Sequence, residues 1–160
     1  MQKLLFLMLA ATISMSACSK KQTVGEEGNL PSAANADENG MGDSDSGRAD
    51  GLQTIHFGYD TYTLTGEAKG ILKSNTQILK DKASLKVQVE GHCDQRGGIQ
   101  YNVALGEKRA NAVKKFMVDQ GVAAARVTVI SFGKEKPLDN GESEEAYAKN
   151  RRGNFVVTSR

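Results

Sequence analysis

Several residue types that carry recognition or catalysis are scarce in this chain. Its 160 residues include no tryptophan, nine phenylalanine and tyrosine residues together, two cysteines and two histidines. Proteins that bind single-stranded nucleic acid stack the bases on aromatic side chains, and this composition disfavours such a platform. We therefore expect no nucleic-acid partner.

The chain also lacks a hydrophobic run long enough to cross a bilayer. A transmembrane helix needs about 20 apolar residues, and the apolar stretch at 4–17 is shorter. Lys3 precedes this stretch and the small residues Ser16 and Ala17 end it, an order typical of a secretory signal peptide. We predict that residues 1–17 are this signal.

Cys18 stands at the expected cleavage point, in the context Met15-Ser16-Ala17-Cys18. This arrangement resembles the lipobox of bacterial lipoproteins, in which the cysteine receives a diacylglycerol and becomes the acylated N-terminus. The resemblance implies a covalent lipid on Cys18, and Ser19 in place of an aspartate resembles the outer-membrane sorting pattern. The alternative is an ordinary signal peptide with a coincidental cysteine. If Cys18 carries lipid, Cys93 has no partner, and we expect no disulfide.

Charge and hydrophobicity divide the remainder into two parts. Residues 19–51 hold three basic and seven acidic residues and only three larger apolar ones, whereas residues 52–160 hold seventeen basic and twelve acidic residues. The first part cannot bury enough surface to offset the entropy of ordering it. We predict a lipidated N-terminus and disordered tether at 18–51 and a folded domain at 52–160. The mildly basic domain suits an anionic polymer, although most of its lysines have the spacing of a solvated helix face.

Strand and helix patterns alternate along the predicted domain. Apolar and polar residues alternate from Leu85 to Glu90, which predicts a strand with one wet face. Thr65 is a candidate helix cap, and Gly121 a candidate helix end. We predict strands at 53–57, 85–90, 126–132 and 154–158, and helices at 65–80, 100–120 and 143–149. The order βαβαβ(α)β indicates an α/β fold, a two-layer sandwich with helices on one face of a mixed sheet.

Asp94 and Arg109 are the residues whose chemistry points to a site. Asp94 follows a predicted strand in a glycine-flanked loop, and Arg109 lies about two turns into the next helix, beside its buried face. Ligand sites in α/β folds gather where strand ends meet helix starts. One alternative is an internal ion pair, because a buried arginine needs a partner. The other is a zwitterion site, in which Arg109 clamps a carboxylate and Asp94 receives an ammonium group. Local chemistry alone favours the ion pair.

A longer pattern surrounds these two residues, GHCDxxGxxxYNxxLGxxRAxAV from Gly91 to Val113, followed by Asn-Arg-Arg at 150–152. It resembles the OmpA-like peptidoglycan-binding domain, over about 55–157. The resemblance implies noncovalent binding of the peptidoglycan stem peptide through meso-diaminopimelate, whose side chain ends in an amine and a carboxylate. It makes Asp94 and Arg109 the principal binding residues. The other residues it implies are Tyr59, Asp60, Asn102 and Leu105 at the pocket, with Arg151 and Arg152 as further candidates.

The same resemblance implies a location and a second partner. A lipid-anchored member would sit in the cell outer membrane, with its domain facing the periplasm, and would tether that membrane to the wall. Such members also bind TolB, a periplasmic protein. An alternative hypothesis is therefore a protein-docking module with secondary wall binding.

The segment His92-Cys93-Asp94 suggests catalysis or metal binding, but both are disfavoured. Adjacent residues of an extended chain point to opposite faces, which places His92 poorly to deprotonate Cys93. A zinc site needs three or four ligands, and His56 has no partner at a suitable spacing. We predict a binding protein without catalytic residues, metal or any cofactor other than the lipid. A wall-hydrolysing enzyme is the disfavoured alternative.

Overall fold

The structure is a computed structural model that describes residues 41–160. The predicted signal peptide, the lipid site at Cys18 and the first part of the predicted tether, up to residue 40, lie outside the described residues. Within 41–160, no helix combines the length and the apolar character that crossing a membrane requires.

The described residues form a mixed four-stranded sheet with helices packed on it. The elements in chain order are β1 (Ile55–His56), α1 (Gly66–Asp81), β2 (Lys86–His92), α2 (Ile99–Asp119), β3 (Val127–Gly133), α3 (Glu144–Asn150) and β4 (Arg152–Ser159), with a 3-10 turn at Ala124–Arg126. The strand order is β1-β4-β2-β3. Strands β2 and β3 are parallel, and β4 is antiparallel to both of its neighbours. This order confirms the predicted α/β architecture.

The helix ends have local causes. The Thr65 hydroxyl accepts a hydrogen bond from the amide of Ala68 at 3.1 Å and caps α1, as predicted. Ser143 caps α3 in the same way. Gly121 follows α2 with a φ of +99°, a left-handed conformation that glycine adopts at little cost. All three helices lie within one residue of their predicted bounds.

The core lies between the helices and one face of the sheet. Apolar side chains that alternate along the central strands meet apolar side chains of α1 and α2: Val87, Val89, Phe155, Val157, Leu72, Leu79, Val113 and Met117. Strand β1 is shorter than predicted because Asn75 takes the backbone of Gln53 out of the sheet. The Asn75 side chain accepts from the Gln53 amide at 3.0 Å and donates to its carbonyl at 2.8 Å.

Residues 41–51 belong to the fold, so the predicted domain boundary at residue 52 is wrong. The Ser44 amide donates to the Phe155 carbonyl at 2.9 Å, and the Val157 amide donates to the Gly42 carbonyl at 3.0 Å. This segment therefore pairs with the part of β4 that β1 leaves open. Ala49 is fully buried. We call residues 41–51 the N-terminal strap.

Polar contacts hold the N-terminal strap where apolar residues are few. Arg152 Nε donates to Asp45 Oδ2 at 2.7 Å, and Arg152 is buried while Asp45 is partly buried. Asn154 Oδ1 accepts from the Ser44 hydroxyl at 2.8 Å and from the Asp45 amide at 3.1 Å. Satisfied buried polar groups can fix a segment as apolar packing does, which explains why its polar composition was misleading.

Candidate ligand-binding pocket

The six side chains that the resemblance implied at the pocket line one cavity of about 120 Å³. They come from the segment after β1, the segment after β2, and the first half of α2. The six are Tyr59, Asp60, Asp94, Asn102, Leu105 and Arg109. Four further residues complete the lining, namely Cys93, Arg96, Gly97 and Tyr101.

Close backbone contacts hold α2 against the strand ends. A Cβ atom on Gly91, at the end of β2, would collide with the carbonyl group of Gly106 in α2. Gly133, at the end of β3, has a φ of +51°, and a Cβ atom there would lie 2.8 Å from the Val103 amide nitrogen. Because no side chain separates these backbones, the first half of α2 lies directly on the sheet and carries Arg109 into the pocket.

Arg109 is only 1 % exposed, and its guanidinium contacts backbone carbonyl groups. Its Nε, Nη1 and Nη2 donate to the carbonyls of Thr61, His92 and Gly58 at 2.9, 2.8 and 2.9 Å. Burial lowers the pKa of Arg109, yet an arginine stays protonated in proteins. No carboxylate within residues 41–160 forms an ion pair with it. Neutral dipoles therefore surround a buried positive charge.

Asp94 pairs with two other arginines. Its Oδ1 accepts from the amide and Nε of Arg96 at 3.1 and 3.3 Å, and its Oδ2 accepts from Arg96 Nη2 at 2.6 Å and Arg151 Nη1 at 3.3 Å. Burial raises the pKa of Asp94, but the bonds from Arg96 and Arg151 outweigh it and hold this pKa below 3.8. The alternative of an internal Asp94–Arg109 ion pair is therefore not realised, because both residues bond elsewhere.

Asp60 brings a second carboxylate to the pocket. Its φ of +49° is a left-handed conformation, which aspartate tolerates better than most residues. The Tyr101 hydroxyl donates to this carboxylate, and the bond raises the pKa of Tyr101. The lining thus combines two carboxylates, from Asp60 and Asp94, with two guanidinium groups, from Arg96 and Arg109.

The two further candidates, Arg151 and Arg152, lie in different surroundings. Arg151 donates to Asp94 and, at 3.1 Å, to the carbonyl of Phe57, so it positions one pocket residue. Arg152 pairs instead with Asp45 of the N-terminal strap. Adjacent residues at a strand start point to opposite faces, and the structure does not bring Arg152 into the pocket.

Comparison with known proteins identifies the family. The profile described as OmpA family matches residues 56–151, more than half of the chain. The chain belongs to the OmpA family.

Curated relatives within this family carry the name peptidoglycan-associated lipoprotein. The relative from Pseudomonas aeruginosa is 36 % identical over 156 residues, which cover 91 % of this chain and 90 % of the relative. The relative from Pasteurella multocida is 46 % identical over 99 residues, 62 % of this chain and 66 % of the relative. The chain thus spans just under two thirds of the latter's length, and the same holds for the relative from Haemophilus influenzae, at 65 %.

Solved structures of OmpA-like domains share the fold. The crystal structure of the peptidoglycan-associated lipoprotein from Burkholderia pseudomallei matches with a TM-score of 0.63 and 36 % identity, over 65 % of this chain and 88 % of that one. The C-terminal domain of Helicobacter pylori MotB matches with a TM-score of 0.62 over 68 % of this chain and 86 % of that one. At 21 % identity, the second match concerns the fold alone.

Sequence reasoning missed two members of this OmpA-family pocket, Arg96 and Tyr101. Tyr101 lies four residues before Leu105 on α2, one helical turn away, so spacing was a usable signal. Arg96 lies in the loop after β2, and its direction depends on contacts with distant residues. No periodic pattern reports such contacts.

Cys93 lines the pocket but lacks the properties of a nucleophile. Its thiol donates to the Asn102 carbonyl at 3.3 Å, and burial raises its pKa. A thiol in that state is largely protonated at neutral pH, whereas the thiolate is the reactive form. Within residues 41–160, no three His, Cys, Asp or Glu side chains are grouped as metal ligands.

Proposed function

We propose that the chain is an outer-membrane lipoprotein that binds the peptidoglycan stem peptide noncovalently through meso-diaminopimelate. One observation carries the proposal: in the described part of the chain, the Arg109 guanidinium is buried at a pocket without a carboxylate partner. The name of the relatives, peptidoglycan-associated lipoprotein, supports it.

The carboxylate of the ligand would neutralise Arg109. A guanidinium has five N–H donors, and the carbonyls of Thr61, His92 and Gly58 take three of them. Two donors remain, the number that a bidentate carboxylate accepts. Because a buried charge is unfavourable until it is paired, this position would favour a carboxylate over a neutral group.

The ammonium group of the ligand would face the carboxylates of the same pocket. Asp60 and Asp94 both line it, and the hydrogen bonds that lower the pKa of Asp94 keep that group ionised at neutral pH. A zwitterionic side-chain end therefore matches the charges in the pocket. Binding of this kind involves no catalysis, and release of soluble muropeptides from wall sacculi by the purified chain would contradict it.

The other end of the chain would hold the membrane. A lipid on Cys18 would anchor the protein in the outer membrane, with the domain in the periplasm, because each buried methylene contributes about 0.8 kcal/mol. Many weak pockets acting together would hold the wall reversibly. We place the protein in a Tol–Pal system that serves envelope integrity and cell division.

The rim of the pocket favours a second candidate function, docking of a TolB-like periplasmic protein. Tyr59 and Tyr101 are both more than half exposed, and aromatic side chains are enriched in protein interfaces. Purified TolB should bind the chain, and excess stem peptide should compete if the rim is the docking surface. Absence of binding with and without peptide would remove this candidate.

The deciding experiment is isothermal titration of residues 19–160 with two stem peptides. One contains meso-diaminopimelate, and the other contains lysine, which lacks the terminal carboxylate. We expect binding of the first peptide alone, because only it can neutralise Arg109. Equal binding of both would remove the carboxylate clamp, and binding of neither would refute the proposed ligand.

A matched pair of variants makes this test specific to the pocket. Arg126 also donates only to backbone carbonyls in the described structure, those of Leu79, Lys82 and Leu85, but it is half-buried and lies away from the pocket. Arg109→Met should abolish binding, whereas Arg126→Met should leave it unchanged. Equal losses in both variants would indicate a general effect on the fold.

A further inference from the structure

The side chain of Arg96 occupies the place at Asp94 that a ligand cation would need. An ionised carboxylate offers about four acceptor positions. Arg96 fills three of those on Asp94 through its amide, Nε and Nη2, and Arg151 fills the fourth. In the ligand-free structure, Asp94 therefore has no acceptor position left for an ammonium group.

The Arg96 guanidinium has other partners besides Asp94 in the same position. Its Cζ lies 4.2 Å from the ring centroid of Tyr59 and 4.3 Å from that of Tyr147. Its Nη1 lies 3.4 Å from Glu144 Oε2. Arg96 is partly exposed, whereas Asp94 is buried. Asp94 is therefore one of several partners of the guanidinium, and Glu144 offers it another carboxylate.

Asp94 keeps a cationic partner if Arg96 leaves. Arg151 is buried and stays fixed by its bonds to Phe57 and Glu144. A buried carboxylate that lost every partner would destabilise the fold strongly, but one that exchanges Arg96 for a ligand ammonium does not meet that penalty. Arg96 is the exchangeable partner of Asp94, and Arg151 is the permanent one.

We propose that Arg96 is an internal substitute for the ligand's ammonium group, displaced from Asp94 when the zwitterion binds. This inference rests on the proposed function, because it takes the ligand to be the diaminopimelate side chain. It adds a selectivity rule. A ligand with a carboxylate alone reaches Arg109 and leaves Arg96 in place, whereas a ligand that also carries an ammonium group competes with Arg96.

The test combines one variant with two ligands. Arg96→Gln removes the competing cation and retains the backbone bond to Asp94. The ligands are the diaminopimelate stem peptide and an analogue with 2-aminopimelate, which keeps the terminal carboxylate and lacks the terminal amine. We expect the variant to raise the affinity for the diaminopimelate peptide, relative to that for the analogue, about three- to tenfold over the unmodified chain.

A matched control separates competition from a general change in charge. Lys134 donates to the carbonyls of Gln95 and Gly97 beside the same loop and has no bond to Asp94. Lys134→Gln should therefore leave the ratio of the two affinities unchanged. Thermal unfolding of both variants, measured alongside, checks that the loop change has not disturbed the fold.

Two results would contradict the displacement of Arg96 and leave the proposed function unaffected. Weaker binding of both ligands by Arg96→Gln would make Arg96 a direct contact rather than a competitor. The second result is an unchanged ratio of the two affinities in Arg96→Gln together with a loss of ammonium selectivity in Asp60→Asn. It would place the ammonium group at Asp60. Failure of the proposed function itself would appear earlier, as absence of Arg109-dependent binding by the unmodified chain.

The displacement also has a spectroscopic readout. The Nε–H resonance of Arg96 reports its bond to Asp94. Saturating diaminopimelate peptide should shift this resonance towards the position of a solvated arginine, and the analogue should leave it in place. A resonance that stays fixed with both ligands would contradict displacement.

Discussion

Two buried arginines, Arg109 and Arg152, share an environment of backbone carbonyls but differ in charge balance. Arg152 is paired with the partly buried carboxylate of Asp45 and donates to the carbonyls of Asn150 and Lys136. Arg109 has carbonyl partners and no carboxylate among the described residues. The first site is complete in the folded chain, whereas in the proposed function a ligand carboxylate would complete the second. A buried charge without a counter-charge is thus what distinguishes Arg109 from Arg152.

The largest expected effect on stability comes from disrupting the ion pair between Arg152 and Asp45. Asp45→Ala removes the counter-charge of Arg152 and detaches the N-terminal strap from β4. Removing one partner of a buried ion pair costs about 3–5 kcal/mol, and we expect a loss of unfolding free energy in that range, measured by urea denaturation. The fraction of the Asp45→Ala variant that remains folded should bind the stem peptide as the unmodified chain does. A loss below about 1 kcal/mol would show that the strap contributes little.

Removing the charge of Arg109, which has no carboxylate partner among the described residues, should affect the stability of the fold far less. Arg109→Met gives up three hydrogen bonds, but it also removes a buried, unbalanced charge, and these effects oppose each other. We expect a change in unfolding free energy within about 1 kcal/mol, together with complete loss of peptide binding. If the variant lost as much stability as Asp45→Ala, the distinction between the two arginines would fail.

His92 connects the two sites and should give the smallest effect, a dependence of stability on pH. Its carbonyl accepts from Arg109, while its ring lies 3.4 Å from Glu90, which accepts from Asn154 near the strap. Burial lowers the pKa of folded His92 below 6.5, although Glu90 opposes this. Below pH 6.5 the unfolded chain takes up a proton that the folded chain excludes, so stability falls on acidification.

The slope of this dependence is bounded by the binding of a single proton, about 1.4 kcal/mol per pH unit. His92→Gln should flatten the slope of unfolding free energy between pH 6.5 and the lower pKa of the folded state. Equal slopes in the unmodified chain and the His92 variant would refute the assignment.

Sequence reasoning succeeded where the determinant was local. Thr65, Ser143 and Gly121 act within a few residues of their own positions, and the helices they bound were predicted within one residue. The six side chains that the resemblance implied lie together at one cavity, because the family resemblance covers all three segments that supply them.

Sequence reasoning failed where polar residues distant in the chain determine the local structure. The strap has too few apolar residues to predict order, and the residues that hold it lie more than 100 positions later, at 152 and 154. The same reason explains the missing Asp94–Arg109 ion pair. Arg96 and Arg151 reach Asp94 from a loop and from the start of β4, and no spacing rule reveals that competition.

The N-terminal strap changes the mechanics of the proposed anchor. From Cys18 to Met41 the chain could extend over about 80 Å, whereas a free segment ending at residue 51 would extend over about 110 Å. A pulling force would reach the sheet through the strap, which pairs with β4 without contributing to the pocket. Detachment of the strap from β4 would lengthen the tether by about 35 Å of chain.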